Sequence, residues 1–368
     1  MERIAGIINL DHEQDMLNEL TYFRCGAAVP FGGRYRMIDF TVSNMTNSRI
    51  ESIAVFARRK YRSLMDHLEQ GKAWDLDRKR GGLFILPPDW NDPTDISKGD
   101  LQHYHNNIDF LRRTSADYIL VSGSQHICNI DFQEVLKDHK EADADVTVIY
   151  KKVDEMMPEY QLAQKLNIGE GNRVEAIHNE HYNPNVYMEM FLIKKKVLQD
   201  LVEKAIAHGH SHFFRDAIKD QLPTIHVNAY EYKGAHALVN SLESYYRNST
   251  NLLKSEEHDR LFKDDAPILT KVKNEAPSKY MHGSDVKNTL VANGCVVEGH
   301  VEDSILFRGV KVGKGAVIKN SVIMQRCEIA DHAVLENVIL DKDCTISEGR
   351  TLIGAPEKPF VVAKRKTM

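Results

Sequence analysis

The chain has 368 residues, 42% of them hydrophobic and 27% charged, with a net charge of −5. That length calls for two domains, and the acidic balance argues against a nucleic-acid footprint, which shows as a basic excess. No apolar run reaches the ~20 residues of a membrane helix. The five cysteines contain no Cys-x-x-Cys pair, which argues against a zinc ribbon and reads as reduced thiols of a cytoplasmic protein.

In chain order, Ile4-Ala5-Gly6-Ile7-Ile8 is a short apolar run behind an acidic start, and it reads as a strand rather than a signal peptide. Residues 53–57 form a second apolar run, leading into basic Arg58-Arg59-Lys60-Tyr61. Residues 118–121 end in Ser122-Gly123-Ser124, and the β-branched run 146–150 follows a charged helix around 132–141. Buried strands alternating with helices predict a mostly parallel sheet, whose ligands sit at the carboxyl ends of the strands. Residues 1–250 are therefore assigned to one α/β domain. Residues 251–285, charged and punctuated by Pro267, Pro277 and Gly283, read as a linker.

Residues 286–368 repeat. Residues 301–312, 318–329 and 335–346 resemble one another, and a shorter copy begins at Val286. Apolar pairs alternate with corners such as Asn293-Gly294, Arg308-Gly309 and Gly313-Lys314-Gly315. Self-similarity at a fixed period of about 17 residues means a solenoid, here a hexapeptide β-helix of about four coils. Cys327 and Cys344 hold equivalent repeat positions, so packing inside the solenoid explains them. The ends and faces of such a helix suit contact with other chains.

Several segments resemble one family. Ala28-Val29-Pro30-Phe31-Gly32-Gly33-Arg34-Tyr35-Arg36-Met37-Ile38-Asp39-Phe40, then Ser43-Asn44 and Thr46-Asn47-Ser48, closely resemble a signature of bacterial ADP-glucose pyrophosphorylases. Trp74-Asp75-Leu76-Asp77-Arg78, Gly81-Gly82, Leu86-Pro87-Pro88 and Asn107-Ile108-Asp109-Phe110 continue the likeness. The resemblance implies a Rossmann-like nucleotidyltransferase domain followed by a left-handed β-helix. It also implies chemistry that makes ADP-glucose and pyrophosphate from ATP and glucose 1-phosphate.

The departures from that pattern fall on the reacting groups. Active members carry a glycine-rich loop after the first strand, where backbone N–H groups approach phosphate. Here Gly6, Ile7, Ile8, Asn9, Leu10 and Asp11 stand in its place as a degenerate phosphate loop, and Asp11, Glu13 and Asp15 would repel phosphate. A family lysine corresponds to Gly26. Of the family's two magnesium-holding aspartates, one falls at Ser124 or Gln125 and the other at Gly234 of Tyr232-Lys233-Gly234-Ala235-His236. Gly99-Asp100-Leu101-Gln102-His103 puts large residues where the family has small ones, and Ile177-His178-Asn179-Glu180-His181 lacks its sugar-binding lysine. Losing one such group commonly costs about 2.7–4 kcal/mol of barrier.

The pattern is similar to GlgD-type paralogues, which accompany a catalytic GlgC-type subunit. The resemblance therefore implies a regulatory subunit of glycogen biosynthesis without catalytic residues or metal of its own. Magnesium would belong to the catalytic partner, and self-association as a dimer or tetramer is expected. Arg24, Arg34 and Arg36 lie where the family binds anionic effectors, and arginine suits bidentate phosphate recognition. The competing reading is ordinary pairing with acidic residues between domains or subunits. His208, His210 and His212 alternate as metal ligands on a strand would, but no cysteine or carboxylate supports them. Asp75 and Asp77 read as structural. Three other functions stay open: an active nucleotidyltransferase with atypical groups, a hexapeptide acyltransferase using His300 or His332, and a partnerless binding module for a glucan or sugar phosphate.

Overall fold

The computed structural model describes residues 2–11, 17–88, 99–263 and 265–368, and counts refer to those residues. Ile4–Asn9 forms β1, buried along its whole length. Side chains alternate across a strand, so Ile7 packs into the core on one face of the sheet and Ile8 into the core on the other. Met37–Asn47 (α1) lies so close to β1 that a Cβ on Gly6 would meet Met45 Sδ at 2.6 Å. Ser52–Phe56 (β2) and Gly82–Leu86 (β3) extend the sheet in parallel on one side of β1, and Tyr118–Ser122 (β4) pairs in parallel on the other.

Leu101–Asn106 (α2) follows β3. Past β4 come His126–Cys128 (β5), Val146–Lys152 (β6), Lys165–Ile168 (β7), Val174–His178 (β8), Asn185–Lys194 (β9), Val227–Glu231 (β10) and His236–Leu238 (β11). The nine-stranded sheet runs β8-β7-β9-β4-β1-β2-β3, with β6 pairing β9 and β10. Its centre is parallel, as expected, while β9 runs antiparallel to β4 and β6. β5 and β11 form a separate antiparallel pair. Leu242–Asn251 (α3) starts from a capping box in which Ser241 accepts from the Ser244 N–H, a reciprocal arrangement that satisfies otherwise orphaned helix donors.

Three parallel sheets of five strands each then form the left-handed β-helix. It has five coils, not about four. The first begins at Lys279–Tyr280, inside the span read as linker. Its opening strand is solvent-exposed and lacks the apolar pair that makes a repeat visible in sequence, whereas Leu290–Val291 of the same coil lies in the copy read from Val286. The span before it also contains Ser255–Leu261, a short helix, and the buried side chains of Ile268 and Thr270.

One solenoid sheet is apolar on both faces. Leu306, Ile323 and Leu340 point into the solenoid, while Ile305, Val322 and Ile339 pack with Phe31, Phe40, Tyr245 and Tyr246 of the first domain. The two domains therefore share a continuous core. Across it, Arg24 Nη2 donates to both carboxylate oxygens of Asp341 at 2.7 and 2.6 Å, with both side chains buried. The Tyr246 hydroxyl donates to the Asn320 carbonyl. Removing one member of a buried ion pair leaves an uncompensated charge, at a cost of about 3–5 kcal/mol. Arg24→Ala is therefore expected to destabilise the chain by that amount in urea titration. A loss under about 1 kcal/mol would mean that Asp341 finds another partner.

Candidate functional site

The carboxyl ends of β1, β2 and β4 open on one groove. Gly6, Ile7, Ile8 and Asn9 are strand residues, not a loop. β-Branched side chains suit a strand buried on both faces, and Gly6 serves the close approach of α1 rather than a phosphate. The chain leaves the strand at Leu10 and Asp11, while Glu13 and Asp15 lie outside the described residues. Asp11 does not face solvent. Its Oδ2 forms an ion pair with Arg58 Nη2 and meets His103 Nδ1, each at 2.9 Å, with all three side chains buried. Asn9 Nδ2 donates to Asp100 Oδ2 at 2.7 Å, and Asp100 Oδ1 accepts the Phe213 N–H at 2.8 Å. The large residues of segment 99–103 thus fill the end of β1 with a hydrogen-bonded polar network.

At the second departure, the Gly234 carbonyl accepts from Lys151 Nζ at 2.9 Å. The antiparallel register of β5 and β11 sets Leu238 opposite His126, and the Val239 N–H donates to the Gln125 carbonyl. Ser124 is buried beside them. Magnesium takes hard oxygen ligands, usually one or two carboxylates. Leu238, Gln125 and Ser124 offer none, and no group of three potential ligand residues exists among the described residues. This donor set does not fit the ion. In its place His126 Nδ1 and His236 Nε2 share a hydrogen bond of 2.9 Å. Burial drives His126 down to about 3 and holds His236 well below the usual histidine range, with His126 adding to the effect.

Beside this network lies a cavity of about 370 Å³, within the usual size range of ligand pockets. Asn9, Asp100, Gln164, Asn179, Glu189 and Arg215 are among its lining residues. Glu189 has φ 53° at an irregularity in the β9–β6 pairing. A non-glycine in that conformation is strained, and such residues cluster at functional sites. Arg215 stands on a π-helical turn, Phe213–Ile218, with its Nε 2.6 Å from Asp216 Oδ1. From the 177–181 segment only Asn179 reaches the cavity.

The three arginines separate. Arg34 is exposed and lies over the Tyr35 ring at 5.3 Å. Arg36 Nη1 donates to the Ser63 carbonyl at 2.6 Å and to its hydroxyl at 3.0 Å. Arg24 makes the inter-domain pair with Asp341, yet its Nη1 is buried without a hydrogen-bond partner among the described residues. The structure adds two cations that sequence reasoning missed. Burial, with Arg36 and Arg24 nearby, pushes Lys342 down to about 6. Burial, with Arg24 next, also lowers Lys364. These lysines stand more than 300 residues beyond Arg24, so no local pattern joins them. The Arg58-Arg59-Lys60 run was the one sequence signal that could have marked Arg58.

Gly26 opens a short 3₁₀ turn, Gly26–Ala28. The His208 and His210 rings lie tilted to each other, 5.9 Å apart, at the surface, and His212 lines the cavity instead. Trp74 Nε1 donates to Ser43 Oγ at 3.1 Å, and Asp75 pairs with exposed Arg78. His300 on the solenoid is flanked by Asp285 and Glu302 at 3.0 and 3.4 Å, and His332 stands at an exposed corner. No helix of the described residues is long and apolar enough to cross a membrane.

A groove at the ends of parallel strands, docked on a hexapeptide solenoid, defines a nucleotidyltransferase-type protein. A nucleotidyl transferase family model matches residues 15–224, and a GlmU-like C-terminal hexapeptide model matches residues 275–359. The chain is 38% identical to glycogen biosynthesis protein GlgD of Bacillus subtilis (strain 168) and 40% identical to that of Geobacillus stearothermophilus. Each match covers 98% of this chain and 96% of the relative. It is 31% identical to glucose-1-phosphate adenylyltransferase of Clostridium perfringens (strain SM101 / Type A), over 87% of this chain and 84% of that one. The chain belongs to the nucleotidyl transferase family and, within it, to the GlgD glycogen biosynthesis proteins related to the glucose-1-phosphate adenylyltransferases.

The His126–His236 pair makes stability depend on pH. The unfolded chain binds a proton at His126 near the ordinary histidine value, while the folded chain does so only near 3. The unfolded state therefore holds more protons in that window. The stabilisation is complete above the ordinary value and is lost as pH falls toward 3. Urea midpoints are expected to drop between about pH 7 and about pH 5, and less steeply in His126→Asn. Equal slopes in the two proteins would place the titrating group elsewhere.

Proposed function

We propose that this chain is a regulatory, catalytically impaired subunit working in the cytoplasm. It modulates a homologous catalytic subunit that makes ADP-glucose from ATP and glucose 1-phosphate. The observation that carries this reading is the register of β5 against β11, which sets Leu238 opposite His126 and the Val239 N–H on the Gln125 carbonyl, with no group of three potential metal-ligand residues among the described residues. Phosphoryl chemistry of this kind rests on electrostatic stabilisation of the phosphates, and Gly26 supplies no cation where a lysine would. Magnesium belongs to the catalytic partner.

Regulation in this reading runs through the junction of the two domains. Arg24, Arg36, Lys342 and Lys364 crowd together there with Asp341 as close counter-charge. Burial first, and then the charges of Arg36 and Arg24, hold Lys342 at about 6. A sugar phosphate would relieve that repulsion, and the unpartnered Arg24 Nη1 supplies a donor for it. Because both domains contribute cations, binding would favour one arrangement of the junction and, through subunit contacts, one state of the partner.

ADP-glucose synthesis is measured with this chain alone, the catalytic homologue alone, and the two mixed. The expected outcome is no turnover by this chain alone and an altered rate or effector response in the mixture. Metal-dependent turnover by the chain alone would instead establish an active nucleotidyltransferase with atypical groups. Lys342→Gln is expected to weaken the effector response of the mixture about tenfold, the loss of one charge-assisted contact. Near neutral pH a phosphate ligand should take up a proton as Lys342 recharges. Calorimetry in buffers of different ionisation enthalpy reads that uptake, and heats independent of buffer would remove Lys342 from the site.

A further inference from the structure

Asp11 leaves β1 at the carboxyl end of the central strand, where a parallel sheet ordinarily presents its ligand site. Its carboxylate is 1% exposed and meets Arg58 Nη2 and His103 Nδ1 through one oxygen. His103 Nε2 faces the Leu86 carbonyl at 3.0 Å. Both ring nitrogens of His103 thus face oxygens, one of the carboxylate and one of the backbone. A guanidinium and an imidazole converge on one carboxylate. Arg58 is held in place besides by the Gly99 carbonyl at 2.9 Å, and His103 by stacking on Phe56 with ring centroids 4.3 Å apart. The other oxygen, Asp11 Oδ1, is buried and has no hydrogen-bond partner among the described residues. The carboxylate therefore leaves bonding capacity unused in a setting built to hold negative charge.

We propose that the end of β1 is a binding site for a small oxyanion of the carboxylate or phosphoryl class, whose resident anion is the chain's own Asp11 side chain. The groove then excludes phosphate-bearing ligands because the site is already filled, not because it lacks cations. Sequence reasoning gave Asp11 the role of repelling phosphate; the geometry makes it a tethered substitute. The proposal deepens the regulatory reading, since it rests on the groove not serving catalysis in this chain.

The test is anion rescue. Asp11→Ser removes the tethered carboxylate and leaves room for a free one. Thermal midpoints are measured for the wild-type chain, Asp11→Ser and Asp11→Ser/Arg58→Gln, each titrated with formate and with inorganic phosphate against sodium chloride of equal ionic strength. An anion that binds only the folded state raises the midpoint saturably. The expected result is a lowered midpoint for Asp11→Ser that rises with formate or phosphate more than the wild type does, with the extra rise absent from the double variant. The wild-type response subtracts whatever the inter-domain cations take up. A folded Asp11→Ser that gains no more than the wild type, or an equal gain in the double variant, overturns the proposal. If Asp11→Ser does not accumulate folded, refolding it from denaturant with and without formate decides the matter. A formate-dependent yield supports the tethered anion, and equally poor yields overturn it. Failure of the regulatory reading would appear separately, as turnover by the wild-type chain alone.

Discussion

The two-faced apolar sheet of the solenoid is the constraint on which the rest of the molecule depends. Strand residues alternate in direction, so a run such as Val338–Leu340 sends Val338 and Leu340 into the solenoid and Ile339 onto the nucleotidyltransferase-like domain. A single sheet thereby belongs to two cores. The buried Arg24–Asp341 pair sits at that junction, where its partners are separated by most of the chain. Burying a charge is tolerated only when it is paired and hydrogen-bonded, so this contact fixes how the domains meet. The remaining cations at the junction are consequences of it: once Arg24 is anchored, Lys342 and Lys364 are held near it.

The groove obeys a similar rule at smaller scale. Each polar group introduced at the strand ends is met by another. Asn9 answers Asp100, Asp100 answers the Phe213 N–H, and Asp11 answers Arg58 and His103. Where a hard metal would want carboxylates, His126 and His236 satisfy one another as neutral rings. Most polar groups of the site are thus paired, with Asp11 Oδ1 and His236 Nδ1 left without a hydrogen-bond partner among the described residues. Ligand binding there would have to break hydrogen bonds already made in a buried setting. The neighbouring cavity, with its strained Glu189 and the π-helical turn that carries Arg215, is the part of the groove that stays open.

The mostly parallel sheet and the hexapeptide solenoid were legible in the sequence, because hydrophobic periodicity and a fixed repeat are local properties of the chain. The opening strand of the first coil, Lys279–Tyr280, was not, since both of its residues are exposed. Of the three arginines that the family resemblance singles out, Arg24 and Arg36 lie in the inter-domain cation cluster, while Arg34 lies out over Tyr35. Sequence spacing put one family aspartate position at Ser124 or Gln125 and the other at Gly234, but it does not fix the register of an antiparallel pair, which sets Leu238 opposite His126.

What the sequence determined by itself is therefore the architecture and the residue types at the strand ends: strands, repeat, family resemblance and the uncharged residues Ser124 and Gln125 follow from the chain and its spacing. What only the tertiary structure decided is how the replacements are used. Asp11 became a buried partner of Arg58 and His103, Gly6 a seat for Met45, and Arg24 half of an inter-domain bridge. Each of these depends on a partner tens to hundreds of residues away. Such contacts arise from packing and desolvation, which act between neighbours in space and leave no periodicity along the chain.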